Sequence, residues 1–426
     1  MSRDTSPRVY GWLHPAVVAA AVFSAYAGFS QFAATAALPD IAAGFGERTP
    51  GAQASLAQQV GLSGTTLGLG LGVIRLASIA ALPMSRLADR HGRRRVMLFT
   101  TSLALLLTAL AAGAPSFWLF VTILAVSRPL MSATNGVAGV IAAEEVRSRD
   151  RSKAIALITV GYGIGAGIPI ILRGIAGFLG TEISFRTLFL LAAPLLLTVP
   201  LIGRVVREPD RATAVTRAPA AVVQRLGRVP HALRGRLLLL STLTFFVGYL
   251  TGPVNTYLFV YAESVAGVAA STLLVVAPAA AAAGAAGLWV GVHLADRFGR
   301  IPTAMLTKFA LAAVSILTYS AGAWGAVAGY VASLFIASSY APAVGATTAE
   351  IFPTSMRATA TGWLTLSSTI GAVLGLLVFG WVSELADSFA VAAVVVSVPV
   401  AISMVGYRFL PETKGKELEE SAPEVQ

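Results

Sequence analysis

The sequence predicts an all-α polytopic membrane protein of twelve transmembrane helices, built as two pseudo-symmetric bundles of six (6+6) with both termini cytoplasmic. Three observations predict it. The 426 residues are 56% hydrophobic and only 12% charged, with a mean hydropathy of +0.76, which is more apolar surface than one or two soluble cores could bury. The apolar residues fall into runs long enough to cross about 30 Å of hydrocarbon. A charged signature also recurs at a fixed offset halfway along the chain.

The runs place spans at 15–38, 57–83, 96–113, 117–142, 154–179, 187–203, 237–261, 271–292, 303–322, 325–349, 358–381 and 389–407. The first is too long for a signal-peptide core and leads straight into further spans, so no cleaved leader is expected. With the N-terminus inside, the cytoplasmic segments hold 25 of the 31 Lys and Arg. The outer loops hold only Arg48 and Arg186, beside the acids Asp40, Glu47, Glu182, Glu263, Glu384 and Asp387. This positive-inside bias sets the orientation. It also accounts for the net charge of +11 by topology and anionic lipid, so nucleic acid is not an expected partner.

Cysteine is absent and the four histidines, His14, His91, His231 and His293, are scattered. That excludes disulfides and thiol nucleophiles and offers no metal-ligand spacing, so no cofactor is expected. No membrane-embedded Ser-His pair or carboxylate dyad is visible either, and an enzyme is not expected.

The recurring signature is Ser85-Arg86-Leu87-Ala88-Asp89-Arg90-His91-Gly92-Arg93-Arg94-Arg95, matched by Val292-His293-Leu294-Ala295-Asp296-Arg297-Phe298-Gly299-Arg300. Asp89 and Asp296 lie 207 residues apart, and a second pair, Glu144 to Arg151 and Glu350 to Arg357, repeats at an offset of 206. The expected domains are therefore 1–203, a first six-helix bundle; 204–236, a basic linker; 237–410, a second bundle; and 411–426, a cytoplasmic tail.

Taken in order, the first span places Ser24, Gly28, Gln31 and Thr35 on one helical face, and the seventh repeats this with Thr244, Gly248, Thr251 and Asn255. Small residues on such faces read equally as helix packing. The amides Gln31 and Asn255 need polar partners and suit a cavity wall, as does Tyr257. The second span carries Gly61, Thr65, Gly68, Gly72 and Arg75 on one stripe, and the fourth carries Arg128, Ser132, Asn135 and Gly139. An arginine at mid-membrane costs roughly 2.5 to 3.5 kcal/mol on insertion scales and must be paired or solvated. No Asp or Glu lies within any span, so Arg75, Arg128 and Arg173 are expected to lack an internal carboxylate. Arg75 or Arg128 then meets either an anionic ligand or helix carbonyls and water. Arg173 and Lys308 are expected to snorkel to the outer and inner surfaces.

These residues resemble the major facilitator superfamily over nearly the whole chain. The first signature is similar to the superfamily's loop between helices two and three, with Ser85 in place of the usual glycine. Phe185-Arg186, with Phe189 and Pro194, resembles the start of its sixth helix. Glu350-Ile351-Phe352-Pro353-Thr354-Ser355-Met356-Arg357 and Pro411-Glu412-Thr413-Lys414-Gly415 look like those of its sugar porters and their organic-ion and metabolite relatives. The sugar porters' paired glutamines are missing, and Gly252-Pro253-Val254-Asn255 is a partial echo of their seventh helix.

The resemblance implies a membrane transporter working by alternating access. Its expected cargo is a small organic solute, a sugar-like metabolite or an organic anion, moved by facilitated or secondary active transport and held by Gln31, Arg75, Arg128, Asn135, Asn255 and Tyr257. Asp89, Arg93, Arg94, Glu144, Arg151, Asp296, Arg300, Glu350 and Arg357 would be conformational contacts, with Glu144 and Arg151, and Glu350 and Arg357, able to pair across the cytoplasmic gap when it closes. A proton is a candidate coupling ion, although no carboxylate stands within the spans. The alternative is a drug or metabolite efflux pump driven by proton antiport, its glycine-rich stretch running from Gly161 to Pro169. A transport-dead membrane sensor is more remote. The expected setting is the cell membrane, the inner membrane if the source is bacterial, with a monomer in contact with lipid.

Overall fold

The computed structural model describes residues 11–49, 54–147, 150–206 and 229–415. The described residues are helical throughout, with no strand among them. Before the linker run α1 Pro15–Ala36, α2 Leu38–Phe45, α3 Leu56–Val60, α4 Gly64–Ala77, α5 Ala81–His91, α6 Arg93–Ala111, α7 Phe117–Glu145, α8 Arg151–Phe178, α9 Phe185–Leu190 and α10 Ala192–Gly203. After it come α11 His231–Val260, α12 Leu273–Phe298, α13 Arg300–Ser320, α14 Gly322–Ile351, α15 Thr354–Leu385 and α16 Phe389–Ser403, closed by a 3₁₀ turn, Met404–Phe409.

Eleven described helical stretches are long and apolar enough to cross a membrane. The second predicted span is the exception. Where one helix over 57–83 was expected, the chain makes the five-residue α3, breaks at Gly61, resumes as α4 and passes through a 3₁₀ turn at Ser78–Ala80 into α5. Gly61 sits at φ +105°, closed to most L side chains, and this ends α3. The shorter apolar helix that remains is Gly64–Ala80.

The helices fall into two compact units. One comprises Met1–Ile41 with Val73–Ala220, the other Ala42–Gly72 with Ala221–Gln426. Each is held by an apolar core, around Phe23, Met97, Leu105, Met131 and Ile141 in the first and around Leu240, Ala304, Phe352 and Tyr407 in the second. Both units use the same device to bring two long helices together. In the first unit α1 lies on α8 so closely that a Cβ at Gly165 would stand 1.8 Å from the Ala25 carbonyl oxygen. In the second unit α11 meets α15 the same way, and a Cβ at Gly248 would stand 2.0 Å from Ser368 O. The small residues noted on these faces therefore serve packing, as small residues between membrane helices generally do.

Inside hydrocarbon, buried hydroxyls must find partners within the protein. In the first unit Ser30 and Thr108 hydroxyls lie 2.6 Å apart and those of Thr100 and Thr134 2.8 Å apart, linking α1, α6 and α7. The second unit instead gathers aromatic rings. Tyr257 stacks on Phe379 at 4.9 Å, and Phe389 and Tyr319 close the cluster.

Two expectations about charged side chains are overturned. Arg173 does have a carboxylate: its Nη2 lies 3.0 Å from Asp40 Oδ2, and its Nη1 donates to Ala36 O at 2.6 Å. The chain turns at Ala37 into α2, which returns Asp40 beside α8. Lys308 does not snorkel. It is fully buried, because its face of α13 is the one packed on α11, where Nζ donates to Leu243 O at 3.0 Å. The Tyr407 and Phe246 rings flank the ammonium at 5.4 and 6.0 Å, a cation–π arrangement.

Candidate functional site

The polar groups of the first unit's helices converge on α1. Arg128 stands just before Pro129 in α7, and its Nη1 donates to Gln31 O at 3.2 Å. Tyr162 of α8 donates its hydroxyl to the same residue's Oε1, also at 3.2 Å. Seven residues further along α7, Asn135 accepts from the Ser24 hydroxyl at 2.5 Å, which also reaches Ile158 O at 3.0 Å. Arg75, on α4, lies near enough to Arg128 for its positive charge to be felt there. Gln31, Arg75, Arg128, Asn135 and Tyr162 are all half-buried.

Arg128 is incompletely satisfied in this setting. Its Nε is buried without a hydrogen-bond partner, and its surroundings supply a like charge and neutral oxygens. A guanidinium cannot shed its proton, so the patch is a fixed pair of positive charges with forked donors, bordered by the amide of Gln31 and the hydroxyl of Tyr162. Such a surface suits a carboxylate or similar planar anion, which accepts two parallel bonds from one guanidinium. Tyr162 lies in the glycine-rich stretch from Gly161 to Pro169. An aromatic there reads as packing, and nothing local marks it as a partner of Gln31.

In the second unit the expected residues separate. Asn255 is half-buried on α11. Tyr257, expected on a cavity wall, is instead wholly enclosed: it is 0% exposed and donates to Gly64 O at 3.0 Å. Its ring belongs to the aromatic cluster, and its hydroxyl is used up holding the start of α4.

At the charged ends the duplicated signatures adopt the same construction twice. Gly92 at φ +95° and Gly299 at φ +106° make the turns into α6 and α13. The arginine after each turn then reaches the glutamate that ends a later helix in its own unit. Arg93 pairs with Glu144, and Arg300 lies 3.5 Å from Glu350 and 2.9 Å from Asp296. In this structure Glu144 and Glu350 face Arg93 and Arg300, and Arg151 and Arg357 turn to backbone carbonyls instead. Arg151 donates to Ala143 O at 3.1 Å and Arg357 to Phe352 O at 3.2 Å, each closing its own loop. The reason is reach: the two ends of each seven-residue stretch flank a turn, and the nearest acceptors are its carbonyls. The Asp89 side chain lies outside the described residues.

The two copies differ in what seals them. Arg94 donates to Gly203 O at 3.1 Å and Val206 O at 2.7 Å, covering the last carbonyls of α10, where the helix dipole favours a cation. The second copy uses the tail. Glu412 accepts from the backbone N–H groups of Arg300 and Ile301, both at 3.0 Å, while the Thr413 hydroxyl donates to Glu350 and Lys414 Nζ donates to Arg297 O at 2.7 Å. Burial pushes the Glu412 carboxyl up, but the four backbone N–H groups it accepts from outweigh this and hold it below its ordinary value.

Comparison with known proteins fits this construction. The sequence profile described as the Major Facilitator Superfamily matches residues 18–336 and 290–425. A Cupriavidus pinatubonensis protein named for 4-methylmuconolactone transport is 27% identical over 368 residues, 82% of each chain. A Haemophilus influenzae protein named for metabolite transport is 27% identical over 350 residues, 78% of this chain and 83% of that one. Among solved structures, the inward-open xylose transporter XylE from E. coli superposes with a TM-score of 0.70 at 15% identity, covering 95% of this chain and 98% of its own. A bacterial homologue of the human lysosomal transporter Spinster gives 0.70 at 17% identity over 92% and 95%. At these identities the structures speak to the fold alone.

Proposed function

Because the chain belongs to the major facilitator superfamily, and is thus a multi-pass membrane transporter of small solutes rather than an enzyme, we propose that its cargo is a small organic anion carried by alternating access. The observation that carries the reading is the Arg128 guanidinium, whose Nε is buried and unpartnered beside the second cation Arg75, with no acid among the described residues to neutralise it. Intramembrane charge of this kind is functional by default. Gln31, Asn135 and Tyr162 supply the neutral donors and acceptors that would orient the rest of the solute. The Cupriavidus relative's name supports the class, since 4-methylmuconolactone is itself a carboxylic acid with a ring ester.

Twelve crossings in a 6+6 arrangement complete the reading, with Gly64–Ala80 as the short second crossing, both termini cytoplasmic and a monomer as the working unit. The Arg93–Glu144 and Arg300–Glu350–Asp296 groups would bias the transport cycle as conformational contacts. Among the described residues no carboxylate pairs with Arg75 or Arg128, which favours coupling through the substrate's own charge or movement of the solute down its gradient.

The test is thermal stabilisation of the purified protein by a panel of neutral sugars, small organic anions and lipophilic cations, with Arg75→Ala and Arg128→Ala alongside. A ligand bound only by the native state raises stability with the logarithm of its concentration. Stabilisation by a carboxylate that vanishes in either variant is expected. Stabilisation by lipophilic cations that survives both would instead favour efflux, for which the half-buried rings of Phe245, Phe246 and Tyr249 on α11 form a ready aromatic surface.

A further inference from the structure

A groove of about 560 Å³ runs along the charged-loop end of the second unit, between the first three turns of α13 and the 3₁₀ turn that closes the chain's last helix. Its floor and one wall come from α13. Pro302, Leu306 and Phe309 follow one another at i, i+4 and i+7, with Ile301 and Met305 beside them; Met404 and Arg408 form the other wall. The apolar side chains are not waiting for a protein neighbour on their own helix. Leu306 is 61% and Phe309 49% exposed, whereas Lys308 on the opposite side of α13 is 0% exposed against α11. The groove therefore opens outward, on the side that meets lipid.

The secondary structure explains why a cation stands at its mouth. In a 3₁₀ helix three residues complete a turn. Tyr407 is drawn fully inward, where its hydroxyl lies 2.5 Å from that of Tyr340, so the two residues that follow must point out. Arg408 is exposed and Phe409 is 78% exposed. Among the described residues Arg408 makes no hydrogen bond or ion pair. The acid nearest in sequence, Glu412, does not compete for it, because both its oxygens are committed to the N–H groups that open α13.

We propose that this groove is a binding site for an anionic phospholipid of the leaflet on the charged-loop side, with the acyl chain lying along Leu306 and Phe309 and the phosphate on the Arg408 guanidinium. The assignment follows from complementarity. The walls are apolar for three helical turns, the only charged group in the lining is a free cation, and it sits where the helix leaves the hydrocarbon. A guanidinium offers a phosphate two parallel donors, and an anionic headgroup adds net attraction that a zwitterionic one lacks. A soluble anion would gain nothing from the hydrocarbon walls. By the orientation proposed above, this is the inner leaflet, but the site is defined by the groove and stands apart from the substrate reading.

The absence of native cysteine allows a direct test. A fluorophore on the unique thiol of Leu306→Cys, in nanodiscs of phosphatidylcholine, is exposed to a few per cent of lipid carrying a nitroxide on its acyl chain, with either a phosphatidylglycerol or a phosphatidylcholine headgroup. The phosphatidylglycerol quencher is expected to act with about fivefold higher apparent affinity, near what one basic group contributes at a membrane surface. The preference should weaken in high salt, disappear with Arg408→Gln and persist with Arg408→Lys. The same label at Leu317→Cys, 54% exposed at the far end of α13, should show no preference. Equal quenching by both headgroups, or a preference that survives Arg408→Gln, would reduce the groove to ordinary boundary lipid. Absence of quenching by either lipid in monodisperse protein would mean that protein, such as a second copy, covers it. Each of these outcomes overturns the assignment.

Discussion

Replacing Arg128 by methionine separates what that side chain does for the fold from what it does for a solute. The structure gives the fold little to lose: one hydrogen bond, 3.2 Å to Gln31 O, and an Nε with no partner. A hydrogen bond from a charged group contributes about 1.5 to 3 kcal/mol net, against a mid-membrane cost for arginine of roughly 2.5 to 3.5 kcal/mol on insertion scales. The two nearly cancel, so the ligand-free variant should melt within a few degrees of the parent, or higher. Removing the like charge that Arg75 feels favours the upper end. For a bound carboxylate the balance is opposite. Loss of one charge-assisted pair, again about 1.5 to 3 kcal/mol, corresponds to a 10- to 150-fold weaker affinity. The assay is a thermal-shift titration with the anion identified by the panel, followed by uptake into proteoliposomes. Arg128→Lys should recover part of the affinity, since it keeps the charge and loses the fork. A variant that melts far below the parent while binding the anion unchanged would show that Arg128 is a structural strut, and the charge-reading argument would fall.

Three other outcomes are expected. Asp40→Ala leaves Arg173, 5% exposed, with Ala36 O in place of its acid; a loss of roughly 2 to 4 kcal/mol should appear as a lower melting temperature, and adding Arg173→Met should restore most of it. Gly165→Val puts a Cβ where Ala25 O already lies 1.8 Å away, so α1 and α8 cannot seat, and fluorescence-detected gel filtration should show aggregated or absent protein; a monodisperse peak would contradict the packing. Glu412→Gln should cost about 0.3 to 1 kcal/mol through the weaker interaction with the α13 dipole. Because the folded carboxyl titrates below its ordinary value, its contribution is fully present above that ordinary value and is lost as pH falls through the lower folded one. The gap between parent and variant should therefore be constant from neutral pH down to about 5 and close in stronger acid.

Much of this architecture was legible in the chain, because hydrocarbon imposes length and loops reveal themselves by charge. The signature repeats along the chain, and its two glycines, Gly92 and Gly299, sit in matching conformations. What escaped the sequence were properties of neighbours. Gly61 ends α3 with a positive φ, yet in a stripe with Gly68 and Gly72 it is indistinguishable from a packing glycine. Asp40 lies just beyond the first span and finds Arg173 133 residues away. Lys308 lies eight residues inside α13, near enough to a loop to predict an exposed ammonium; only the placement of Leu243 and Tyr407 encloses it. Of the arginine patch, Arg75, Arg128 and Gln31 were readable from type and spacing, while Tyr162 was not.

The unequal sealing of the two duplicated turns bears on how the protein can be handled in the laboratory. The first turn finishes its work with groups from its own half, whereas the second borrows Glu412, Thr413 and Lys414 from beyond the last helix. Residues after Leu410 are thus a working part rather than spare sequence. A fluorescent protein or affinity handle joined immediately after Leu410 would strip the start of α13 of its acceptors, yet leave every crossing intact and so pass an expression screen. The same fusion placed after Gly415 would keep that start covered, and comparing the two in a melting assay is a simple way to see the asymmetry.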